Sequence, residues 1–143
     1  MKFSILIPTL NNVEYLKICI NSILKNSFFE HEIIVHSNNS SDTTSSFLKS
    51  QNIQELRTET NYGLCTALNQ LASKAKYDYL LFIHDDMYIC PNWDKVLIKE
   101  IDLLGHNNFY LSGIMIERTN GHINYNFFSS NSSVLKKLCC QSI

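Results

Sequence analysis

Glycine and proline are scarce in this chain, with four and two copies among 143 residues. No Pro/Gly-rich linker divides it, and no internal repeat or low-complexity segment interrupts it, so residues 1–143 read as a single domain. A chain of this length can bury about two-thirds of the surface its unfolded form exposes, enough for a true core. Charge of one sign is also lacking. The formal net charge is −1 with acids and bases scattered, which excludes the basic footprint of a nucleic-acid binder and a polybasic membrane patch. Long apolar runs are missing too. The run 3–7 is stopped by Pro8, too short for the apolar region of a signal peptide, and no later run approaches the roughly 20 residues that span a bilayer. The expected location is cytoplasmic. Five cysteines without a Cys-x-x-Cys pair exclude a disulfide framework and a zinc site, so all are expected to be reduced, with Cys139-Cys140 in a frayed tail. Asn-x-Ser sequons at Asn38, Asn39 and Asn131 carry no weight without a secretory signal.

What is present is an alternation of short apolar runs with helical patterns. Residues 3–7 read as a buried strand and 32–36 as a second, with 53–58 a weaker third. Val13, Leu16, Ile20, Ile23 and Leu24 recur at the spacing of one helix face, and Asn11 with Glu14 resembles a capping box at its start. Asp42 is placed to cap a short helix carrying Phe47 and Leu48. From Gly63 another helix carries Leu64, Leu68, Leu71, Ala72 and Ala75 on one face. Tyr79 to Ile83 form a further strand. Pro91 then sits where a first-turn proline opens a helix through Val96, Leu97, Ile101 and Leu104, stopped by Gly105. Phe109 to Ile116 are expected to form the next strand, and after them the periodicity fades. This order of elements predicts an α/β fold: a mostly parallel sheet with helices on both faces and right-handed crossovers. Every loop that follows a strand then lies on one edge of the sheet.

That edge receives Asp85 and Asp86, two adjacent carboxylates delivered by the apolar strand before them. They repel each other unless a cation or donor network neutralises them. Hard oxygen ligands suit Mg²⁺ or Mn²⁺ bridging to phosphate, and open α/β sheets bind ligands at this edge. The plainer alternative is a solvated turn with one Asp capping the following helix; Pro91 is the more natural start for that helix. Asn38 could contact a ligand or be a turn residue tolerant of left-handed backbone. His84 reads as packing or hydrogen-bonding rather than ligating, because oxygen-rich phosphate sites seldom need imidazole. Trp93 reads as a core or lid anchor.

Ile5-Leu6-Ile7-Pro8-Thr9-Leu10-Asn11-Asn12, then Glu32 to Val35 leading to Asn38-Asn39-Ser40-Ser41-Asp42, then Asn61-Tyr62-Gly63 with Asn69, and finally Asp85-Asp86 together resemble the family 2 glycosyltransferases of the GT-A (Rossmann-like) fold. The resemblance covers roughly residues 1–116. It implies that residues 1–104 form the nucleotide-sugar-binding part and 105–143 the start of an acceptor-binding part, truncated or reduced, leaving the fold incomplete at its C-terminal end. Pro8, Thr9, Leu10, Asn11, Ser37, Asn38, Asn61, Gly63, Asn69 and Asp85 would then surround a nucleotide-diphosphate sugar. Asp86 would be the principal ligand of Mn²⁺ or Mg²⁺, and Asp85 the second. Leu10 stands where the family often has a Tyr that stacks on the base, and Ser37 and Asn38 stand where it commonly has Asp. His84 replaces the first acid of the DxD-type motif.

The implied reaction is transfer of the sugar to an acceptor hydroxyl, with inversion, in glycan or polysaccharide synthesis. The acceptor, whether glycan, lipid-linked or protein, is unspecified, and it could hold the protein at a membrane. Inversion needs an acid to deprotonate the acceptor, and only Glu117 lies beyond residue 116; the catalytic base is not identified. A catalytically incomplete binding or partner module, completed by oligomerisation or another chain, is the alternative. Nucleotidyl transfer would bring a glycine-rich phosphate loop with a basic residue, and none follows the first strand.

Overall fold

A computed structural model describes residues 1–119, 122–126 and 139–142. The chain divides into two compact units, residues 1–19 with 29–86 and residues 20–28 with 87–143.

The first unit is built on four strands, β1 (Phe3–Thr9), β2 (Glu32–Asn38), β3 (Gln54–Thr58) and β4 (Tyr79–Phe82), in the spatial order β3-β2-β1-β4. All three pairings are parallel, with Leu6 beside Ile34 and Phe82, and Asn38 beside Thr58. Period-2 alternation puts Leu6 and Ile34 on one face, where they pack with Leu71 of helix α3 (Leu64–Ala72) and with Leu56, Leu68, Ala72 and Ala75. Ile5, Ile7 and Val35 have the opposite parity and are equally buried, so both faces are covered. This is why the strands read as continuous apolar runs rather than alternating ones. Because every strand is parallel, the four loops after them share one edge, as expected.

Helix α1 (Val13–Asn26) begins in the first unit and ends in the second. Its start differs from the expected Asn11–Glu14 box. Asn11 has φ 51°, which turns its side chain toward Ser41, while Glu14 pairs with Lys17 at 2.7 Å. The orphan N–H of Val13 is instead met by Asp42 Oδ2 at 3.1 Å. Asp42 Oδ1 also accepts from Thr44 N at 3.0 Å at the start of α2 (Thr44–Ser50), so one carboxylate fastens two helix starts.

In the second unit β5 (Met87–Ile89), α4 (Trp93–Leu104), β6 (Ile114–Thr119), β7 (His122–Asn126) and β8 (Cys139–Ser142) follow, with sheet order β5-β8-β6-β7. The expected strand 109–116 is shifted: Gly113 precedes it and the β-branched, apolar run begins at Ile114. Cys139 and Cys140 lie in β8 rather than a frayed tail, since β8 pairs with both β5 and β6. Helix α4 starts at Trp93 after Asn92 in left-handed backbone (φ 62°), not at Pro91, and it ends at Gly105 (φ 69°) as expected. Trp93 is buried and donates to Ser27 Oγ at 2.9 Å, the anchoring role anticipated for it. The Asn131 sequon lies outside the described residues.

Candidate functional site

The carboxyl edge of the first unit's sheet carries the candidate residues. At the end of β1, Thr9 is buried and its hydroxyl donates to Asp85 Oδ2 at 2.6 Å, bridging the ends of β1 and β4. Partial burial raises the Asp85 pKa above its ordinary value, and the neighbouring Asp86 charge adds to this. Hydrogen bonds from Thr9 and Asn12 and the proximity of His84 oppose the rise without cancelling it. Asp86 is exposed beside it. Two carboxylates, one held in place by donors and one free in solvent, form an oxygen pair that a divalent cation would neutralise. Among the described residues no three His, Cys, Asp or Glu gather as a metal-holding group, at this edge or elsewhere, so the pair would share an ion with the ligand's own oxygens.

The ring of His84 packs edge-on against Phe82, centroids 4.6 Å apart, and its carbonyl oxygen accepts from Cys19 Sγ at 3.5 Å. This agrees with a packing role. Leu10 is exposed at the tip of the β1 loop. Asn11 joins that loop to the next one, accepting from Ser41 N at 2.7 Å through Oδ1 and donating its backbone N–H to Ser40 Oγ at 3.3 Å.

At the end of β2 the two candidates point inward. Ser37 is fully buried and its hydroxyl donates to Glu55. Asn38 is buried and bonded to Asn61, Tyr62 and Thr58. Gly63 has φ 80°, a backbone setting that favours glycine, and leads directly into α3. Asn69 is exposed on the second turn of α3. Structure thus joins Thr9 with Asp85, Asn11 with the β2 loop, and Asn38 with the Asn61–Gly63 turn. Asn12, which supports Asp85, and Ser40, which holds the β1 loop, lie inside the runs that carry the family resemblance, but nothing in their spacing marks them as supports.

Asp42 completes the loop framework. Burial acts to raise its pKa, but the hydrogen bonds from Thr44 and Val13 outweigh it and hold the carboxyl below its ordinary value.

The Glycosyl transferase family 2 description matches residues 4–139. Glycosyltransferase GlyA of Streptococcus pneumoniae serotype 4 is 26% identical over 104 residues, covering 70% of this chain and 15% of GlyA. The poly(ribitol-phosphate) beta-N-acetylglucosaminyltransferase TarS of Staphylococcus aureus strain Mu50 is 32% identical over 96 residues, covering 62% of this chain and 17% of TarS. The crystal structure of S. aureus TarS 1–349 with UDP-GlcNAc aligns with a TM-score of 0.68 at 26% identity, over 85% of this chain and 36% of that one. The UDP complex of the same fragment aligns with a TM-score of 0.67 at 26% identity, over 85% and 37%. This chain therefore spans about a sixth of the curated relatives' length. With its parallel sheet, its strand-end loops and a family match over nearly its whole length, the chain belongs to glycosyl transferase family 2 and has the GT-A fold.

Proposed function

We propose that the carboxyl-edge loops bind a nucleoside-diphosphate sugar together with Mn²⁺ or Mg²⁺, and that the sugar is passed to an acceptor hydroxyl with inversion. The observation that carries this is the Thr9–Asp85 bridge, which sets an adjacent, exposed carboxylate, Asp86, at the end of a parallel-sheet strand. Asp86 would hold the ion and Asp85, kept in place by Thr9 and Asn12, would be the second oxygen ligand or ribose partner. When bound, the ion would supply positive charge against the departing diphosphate. Pro8 to Asn11 and the Ser37–Asn38 end of β2 would frame the nucleoside, with Asn61, Gly63 and Asn69 on the diphosphate side. A UDP donor is favoured because the aligned TarS structures contain UDP-GlcNAc and UDP.

Residues 105–143, which carry Glu117 on β6 opposite Asn124, would begin an acceptor-binding part, whether completed by further chain, an oligomer or another protein. No described helix is long and apolar enough to cross a membrane; a cytoplasmic location, with membrane contact through the acceptor, belongs to this proposal. A thermal-shift titration with UDP and UDP-GlcNAc, with and without Mn²⁺, tests the donor site. A metal-dependent rise in melting temperature is expected from mass action, and no shift with either nucleotide would refute the site.

A further inference from the structure

Asn38 ends β2 with only 7% of its surface exposed, and its hydrogen bonds account for the whole acceptor capacity of its amide. Asn38 Nδ2 donates to Asn61 Oδ1 at 2.6 Å. Asn38 Oδ1 accepts from Tyr62 N at 3.1 Å and from Thr58 Oγ1 at 3.3 Å, which uses both of its lone pairs. Asn61 Oδ1 accepts a second bond, from Gly63 N at 2.9 Å. Backbone N–H groups only donate. Tyr62 N therefore fixes which end of the Asn38 amide is oxygen, and Gly63 N fixes the same for Asn61. The bond between the two side chains then has one permitted sense, from Asn38 to Asn61.

The two positions are chemically inequivalent in consequence. A carboxylate at 61 would still accept from Gly63 N and from Asn38 Nδ2. At 38 it would satisfy Tyr62 and Thr58 but meet Asn61 Oδ1 oxygen to oxygen at a part-buried contact, a repulsion that the exposed Asn61 side chain relieves only by leaving Gly63 N without its acceptor. An N–H of a bound base could reach Asn38 Oδ1 only by displacing Tyr62 N or Thr58 Oγ1.

We propose that Asn38 and Asn61 form a one-way amide clamp that positions the Asn61–Gly63 turn against the end of β2 for donor binding, with Asn38 acting through that turn and not by touching the base. The role rests on the donor-site reading above. The turn it holds carries the exposed ring of Tyr62 and the left-handed Gly63 that starts α3, so its position sets the floor of the loop cluster on that side.

The test combines calorimetric titration of the whole chain with UDP plus Mn²⁺ and amide hydrogen exchange at Tyr62 and Gly63. Asn38→Asp and Asn61→Ala should each weaken UDP about tenfold and speed exchange at both amides. Asn61→Asp should leave exchange at both amides within about twofold of wild type, because it keeps both acceptor roles. Direct base contact gives the reverse order: Asn38→Asp would bind UDP as tightly as wild type or more tightly, and that result overturns the clamp. Unchanged exchange in Asn38→Asp and Asn61→Ala, or equally fast exchange in Asn61→Asp and Asn61→Ala, overturns it as well. Wild-type protein that binds no UDP sinks the donor-site reading and the positioning role with it, whereas wild-type binding with Asn38→Asp unaffected sinks the clamp alone.

Discussion

The ends of β2 and β4 lie on the same sheet edge and treat their polar side chains in opposite ways. At β2, Ser37 and Asn38 are buried and hydrogen-bonded to protein groups that suit them. At β4, Asp85 sits partly buried with its pKa raised, beside an exposed second carboxylate. One end is complete without a ligand, and the other is left with excess negative charge. Satisfied polar groups fix a loop's shape, while uncompensated charge costs stability and creates affinity for a cation. Under the proposed donor site, the contrast divides the labour: the β2 side would shape the site and the β4 side would supply its charge.

The largest test of that division is Asp86→Ala. Mn²⁺-dependent UDP affinity should fall at least about a hundredfold, or roughly 2.7 kcal/mol, while the melting temperature of the ligand-free protein changes little because the side chain is exposed. Retained affinity in calorimetry with Mn²⁺ would move the metal site elsewhere. Next in size is Asn38→Ala, which strands Tyr62 N and removes the donor to Asn61. Denaturant unfolding should register a loss of about 1–3 kcal/mol, and a neutral result would mean the β2 end is less complete than its bonds imply.

The smallest effect concerns Asp85→Asn, and its sign is the informative part. A carboxyl whose pKa is raised by folding contributes stability that is present below its unfolded value and lost as pH climbs through the folded one. Wild type thus carries a penalty from Asp85 wherever the group is ionised. Asp85→Asn should be slightly more stable than wild type at pH 7, the difference kept small because the group keeps solvent contact. The gap should close as pH falls below the ordinary value of 3.8. A variant less stable than wild type at pH 7 would show that the Thr9 and Asn12 bonds dominate. The same change should weaken Mn²⁺-dependent UDP binding, so stability and function move in opposite directions.

Much of this edge was legible before any coordinates. The runs 3–7 and 32–36 have no polar face, which points to a sheet covered on both sides, and parallel connection places their following loops with Asp85 and Asp86. The helix faces of α1 and α3 were visible for the same reason: burial imposes a period. The β5 segment was not visible, because three residues between an acidic turn and a proline carry no periodicity. β8 escaped because its pairing partners, Met87–Ile89 and Ile114–Ile116, are distant in sequence. The Asn11–Glu14 pattern misled because local spacing says nothing of a positive φ or of Asp42 arriving from 29 residues away.

By itself, then, the sequence determined the order of strands and helices as far as β4, the parallel sheet and the delivery of two carboxylates to its edge, since these follow from apolar period and from position along the chain. Only the tertiary structure decided that Asp42 fastens both α1 and α2, that Thr9 holds Asp85, and that the Asn38 amide faces Asn61 in one sense alone. Hydrogen-bond direction depends on which donors folding brings to each oxygen, and residue spacing does not encode that.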